Sequence, residues 1–69
     1  MTPAQAAIGA AIRVIGTVHI NDHTLYNARG RIVMTCPADD VEYWIELDGW
    51  PGSRVCFTEH ELDQLEARA

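Results

Sequence analysis

The side chains of this chain that are able to do chemistry fall into three small groups. The first is a run of carboxylates around a tryptophan: Asp39, Asp40, Glu42, Glu46 and Asp48, with Trp44 midway between Glu42 and Glu46. At strand spacing, positions 42, 44 and 46 share one face, because successive side chains alternate across a strand. Two carboxylates on one face divide the roles of general acid and general base only where their surroundings push their pKa values apart. An open, charged strand face is solvated and gives no such push, so no catalytic residue is assigned. The pattern suits binding better, since tryptophan is over-represented among residues that dominate protein interfaces. The candidate partner-binding set is Trp44, Glu42 and Glu46, with Tyr26 and Trp50 as rims.

The second group is His19, Asp22, His23 and His60. His19 and His23 are four apart, but their surroundings place them at a strand end and in a loop, not on a helix face. Zinc needs three or four converging ligands, and the expectation is solvent-facing histidines with no metal. The third group is Cys36 and Cys56. A cysteine nucleophile needs a base and oxyanion donors, which nothing here specifies, so the pair reads as reduced structural thiols. Gly30, Gly49 and Gly52 are isolated punctuation, not a phosphate loop. No cofactor is expected.

Composition narrows the classes. The 69 residues include ten Asp and Glu against five Arg and no Lys, a formal charge of -5, and 48% are hydrophobic, which fits one compact domain and not a disordered chain. Arg13, Arg29, Arg31, Arg54 and Arg68 are scattered in sequence, so nucleic acid is not the expected partner unless the fold gathers them. The expected partner is another protein, or a second copy, since small cores often need outside help. Residues 1–5 lack the basic start of a secretion signal, and no apolar run approaches the roughly 20 residues of a membrane span. A cytoplasmic location without membrane contact is the expectation.

The elements that must position these residues are mostly strands. Thr2, Pro3 and Gln5 form a capping arrangement for a short helical turn that Gly9 would weaken. Ile12, Val14, Gly16, Val18 and Ile20 alternate as a strand bent or interrupted at Gly16. Residues 21–23 read as a turn or loop, the start of a long loop that, folded back, would bring Tyr26 to Trp44. Arg31–Cys36 follow as a strand, with Gly30 marking a bulge or a tight approach, Val33 and Thr35 on one face, and Ile32, Met34 and Cys36 on the other. After the turn at residues 37–40, Val41, Tyr43, Ile45 and Leu47 alternate with Glu42, Trp44, Glu46 and Asp48 in the clearest strand of the chain. Residues 49–53 turn, residues 54–57 make a last strand, and Thr58 with Glu61 signals a second short helix carrying Leu62 and Leu65.

That order of elements, with Ala28–Val33, Trp44–Leu47, Arg54–Phe57 and Glu61-Leu62, resembles an SH3-like barrel. The expected fold is mainly β: a small barrel of four to five antiparallel strands with a short C-terminal helix or helical turn. Residues 1–10 form an N-terminal arm or short helix, 11–66 the barrel and 67–69 a tail. From Pro51 to Leu62 the C-terminal half is similar to the plasmid-borne type II dihydrofolate reductases, which assemble as homotetramers around one pore. The pore-lining Val-Gln-Ile-Tyr run of that family falls on Arg54, Val55, Cys56 and Phe57, so its Gln and Tyr are absent, and no residue matches its Lys. The primary functional expectation is a small acidic protein-interaction or accessory module, the resemblance adding a mobile-element setting and a homo-oligomer. It is not expected to be an enzyme. The alternatives are an NADPH-dependent enzyme of the dihydrofolate reductase type and a nucleic-acid-associated SH3-like module.

Overall fold

Two antiparallel sheets, both open, make up the computed structural model, which describes residues 1–68. The strands are β1 (Ala11–Val14), β2 (Thr17–Ile20), β3 (His23–Tyr26), β4 (Arg29–Cys36), β5 (Glu42–Leu47), β6 (Arg54–Thr58) and β7 (Leu65–Ala67). A 3₁₀ helix, Glu59–Gln64, joins the last two. The large sheet has the order β6-β5-β4-β1-β7, and β2 pairs only with β3 in a separate ribbon.

This arrangement overturns the expected SH3-like barrel. The edges β6 and β7 do not pair, and no strand of the ribbon joins the large sheet. The cause begins at Gly16. Its φ of +96° breaks the apolar alternation of residues 12–20, so the two halves enter different sheets instead of forming one bent strand. A second correction concerns β3, which reads as loop in sequence. Asn21 and Asp22 take φ values of 48° and 63°, the paired left-handed residues of a tight two-residue hairpin, and these fold His23–Tyr26 back onto β2.

The pairing of β4 with β5 slips between Ile32 and Met34. Ile32 lies opposite Ile45 and is fully buried, whereas Met34 lies opposite Trp44. The bulge therefore separates Ile32 from Met34 and Cys36, which unbroken alternation would place together. Inward from the large sheet point Ile12, Val14, Ile32, Tyr43, Ile45, Leu47, Phe57 and Leu65. Val18 of the ribbon, Leu62 of the 3₁₀ helix and Ala6 join them in one core.

Both capping signatures are visible. Glu61 Oε1 accepts from the Thr58 N–H (3.0 Å) and from the Thr58 hydroxyl (3.1 Å). The helical turn it starts stops at Gln64, and the chain then extends as β7 against β1. At the other end Gln5 Oε1 accepts from the Thr2 N–H (2.9 Å), yet the i→i+3 bonds that follow, at Gln5, Ala6 and, after a break, Ala10, close separate turns only. Residues 3–5 make a turn, not a helix.

Gly30 is a tight approach and not the bulge. It sits opposite both Ile12 and Leu47, and a Cβ there would strike the Glu46 carbonyl oxygen and stand 3.1 Å from the Glu46 carbonyl carbon and Leu47 Cα. Because the obstacle is backbone, G30A is expected to lower stability by about 1–3 kcal/mol, the usual range for overpacking. Urea unfolding of the variant beside wild type measures it, and an unchanged midpoint would contradict the close approach.

Candidate functional site

The sheet face turned away from the core carries the chemistry. On β5 the buried residues Tyr43, Ile45 and Leu47 alternate with half-buried Glu42, Trp44 and Glu46. Pairing with β4 and β6 then sets three rows across this outer face. Cys36, Glu42 and Thr58 make one, Met34, Trp44 and Cys56 the middle one, and Arg31, Glu46 and Arg54 the third. Trp44 thus lies between a methionine and a cysteine, with a glutamate on either side along its own strand. Its indole N–H is buried and meets no acceptor among the described residues. A buried donor left unpaired costs about 1–3 kcal/mol, so this ring is held in place by its packing.

Trp44, Glu42 and Glu46 are therefore brought together, and the two rims are not. Trp50 packs partly into the core from the turn after β5, with its ring 5.0 Å from that of His23. Tyr26 pairs with Thr17 in the ribbon and is 73% exposed. In the ribbon Val18 and Leu25 face the core, so by alternation Tyr26, Thr24 and His19 face the opposite way. The core separates Tyr26 from Trp44.

The arginines were the residues sequence spacing did not assemble. Arg31 and Arg54 flank Glu46, and Arg13 lies opposite Arg29 on β4 and Glu66 on β7. The neighbours of these residues along each strand (Ile12, Val14, Gly30, Leu65) are buried, which turns Arg13, Arg29 and Glu66 to the outer face. Arg68 follows β7 and reaches Asp48 at 3.7 Å. All five arginines thus share this side with Glu42, Glu46, Asp48 and Glu66. The remaining carboxylates lie elsewhere. The turn bearing Asp39 and Asp40 is bound to the 3₁₀ helix, with the His60 N–H donating to Asp40 Oδ1 (3.1 Å) and the Glu59 N–H to the Val41 carbonyl (2.7 Å). That contact gathers Asp39, Asp40, Glu59, Glu61 and Asp63 at an acidic pole. The acidic run of residues 39–48 is consequently divided, and the row beside Trp44 is of mixed sign.

Cys36 and Cys56 are both free thiols. They stand on β4 and β6 with β5 between them and in neighbouring rows, which puts them more than about 10 Å apart at ordinary strand spacing, beyond disulfide reach. Burial, then the negative charges of Glu42 and Glu61, and last Cys36, push the Cys56 thiol above its ordinary pKa. His19 Nδ1 meets the Thr24 hydroxyl at 2.9 Å, His23 faces Trp50, and among the described residues no three potential ligands converge on a metal position.

No protein-family profile, curated protein or solved structure matches the chain. The similarity to type II dihydrofolate reductases also fails on geometry. Val55 and Phe57 lie opposite Ile45 and Tyr43 on the core side of β6, with Phe57 buried, so these positions line the interior and no pore. No helix among the described residues is long and apolar enough to cross a membrane.

A thiol whose pKa is higher in the fold than in the unfolded chain favours the protonated fold. Its contribution is complete below the ordinary thiol pKa of about 8.5 and is lost as pH rises through the elevated value. Wild-type stability is expected to fall more steeply than that of C56S above about pH 8.5. Urea unfolding of both proteins across that range checks it, and parallel curves would rule it out.

Proposed function

We propose that this chain is a small protein-binding module whose partner docks on the outer face of the large sheet at Trp44. The observation that carries the reading is the half-buried Trp44 at the centre of the middle row, its indole N–H without an acceptor. Glu42 and Glu46 bracket it along β5, and Arg31 and Arg54 flank Glu46 across the sheet. A large ring ringed by charges of both signs is the arrangement of an interface anchor with a polar rim. The alternation Arg31–Glu46–Arg54 fits a protein segment that places an apolar side chain on Trp44 between an acidic and a basic residue. It suits a polyphosphate backbone poorly, because Glu46 and Glu42 would repel it. Binding, not catalysis, is the role assigned. Two free thiols held apart on different strands are compatible with a reducing compartment such as the cytoplasm.

A displayed peptide library panned against the folded chain tests this. Selected peptides are expected to carry an apolar residue between charges, and to bind W44A at least about tenfold more weakly, or about 1.4 kcal/mol. Y26A is expected to bind as wild type does. Peptides indifferent to W44A, or a single-stranded oligonucleotide that binds more tightly than any peptide, would refute the reading. W44F removes the unpaired N–H while keeping a ring, and is expected to stay within about 1 kcal/mol of wild-type stability in the same urea assay.

A further inference from the structure

We propose that Arg13, Arg29 and Arg68 form a notch that binds one oxyanion group, a phosphate or a carboxylate. The three side chains line a single open hollow of about 570 Å³ together with Glu66 and Ala67, on the outer face where β4, β1 and β7 run side by side. Three of the chain's five basic residues are thus spent on one concavity of a protein whose formal charge is -5.

The register sets two of these guanidinium groups directly opposite each other, with Glu66 beyond Arg13 and Asp48 beyond Arg29. The Val14 N–H bonds to the Ala28 carbonyl (2.8 Å), which makes Arg13 and Arg29 a pair without mutual backbone hydrogen bonds. In such pairs the Cα atoms approach to about 4.5 Å and the side chains lie closest. Like charges directly opposite each other there are destabilising. Only part of the positive charge is offset internally. Arg13 Nη2 meets Glu66 Oε2 at 2.8 Å, and Arg68 Nη1 stands 3.7 Å from Asp48 Oδ2. Arg29 makes no ion pair among the described residues. Each guanidinium has five donors in a planar fork, so one carboxylate on Arg13 leaves most of the donors around the hollow unused. A tetrahedral or planar oxyanion seated between Arg13 and Arg29 would turn their repulsion into shared attraction through bidentate, charge-assisted hydrogen bonds. No residue of the notch belongs to the Trp44 row, so this site stands apart from protein docking there.

The test is an NMR titration of the folded chain that follows the arginine Nε–Hε resonances. Sodium phosphate and sodium acetate are added separately, with sodium chloride at matched ionic strength as reference. Saturable displacement of the Arg13, Arg29 and Arg68 signals by at least one of the two oxyanions is expected, and the one that saturates first identifies the source. R29A is expected to weaken binding at least about tenfold. R54A, on the same face but outside the hollow, is expected to leave it within about twofold. E66Q, which frees Arg13 from its internal counter-ion, is expected to tighten binding about two- to fivefold, a gain that loss of structure cannot produce. Shifts no different from those in chloride, equal weakening by R54A and R29A, or weakening by E66Q would each overturn the site.

Discussion

At Gly30 the backbone of β4 lies against that of β5 so closely that no Cβ fits between them. Gly30 also pairs with Ile12 of β1, so this one position ties three adjacent strands into one register. Everything on the outer face takes its row from that register. Arg31 is set opposite Glu46, Arg29 opposite Arg13, and, after the bulge that follows Ile32, Met34 opposite Trp44. A slip of β4 by one residue would turn Ile32 outward and Arg29 and Arg31 into the core, which is why an apolar inner face holds the pattern so firmly.

Part of this was legible in the sequence. The alternation from Val41 to Asp48 places Trp44, Glu42 and Glu46 on one face, as β5 has them, and Thr58 with Glu61 marks the start of the 3₁₀ helix. What escaped was chiefly long-range. The β2–β3 hairpin is hard to read from sequence because His23–Tyr26 has no clean apolar alternation, although Asn21-Asp22 is a pair that tolerates left-handed backbone and is itself a hairpin signal. The break at Gly16 was visible as a glycine, but its consequence, two sheets in place of one bent strand, depends on what each half pairs with. The bulge beside Val33 leaves no local mark, and it reverses the face on which Met34 lies relative to Ile32.

The same distinction governs the candidate site. Residues two apart on one strand can be assigned to a face by spacing alone. Arg13, Arg29 and Arg68 are separated by up to 55 positions in sequence and meet only because β1 lies between β4 and β7. Tyr26 shows the reverse case, an aromatic loop residue that spacing leaves free to join Trp44 and that the hairpin commits to the far side of the core. The similarity over residues 51–62 misled for a related reason. A short stretch in turn and strand fixes local shape, while the pore of type II dihydrofolate reductases is a property of a whole assembly.

The division of charge between the arginine-bearing face and the pole of Asp39, Asp40, Glu59, Glu61 and Asp63 makes the molecule an electric dipole as well as a net anion. A charged body drifting toward it feels a torque before it touches anything. Within about 8–10 Å, the Debye length at ordinary ionic strength, that torque favours encounters in which negative groups meet the sheet and positive groups meet the 3₁₀ turn. Net charge alone would repel every anion alike. The asymmetry instead selects the direction of approach, and added salt would erase this orientation first, ahead of any contact that packing holds.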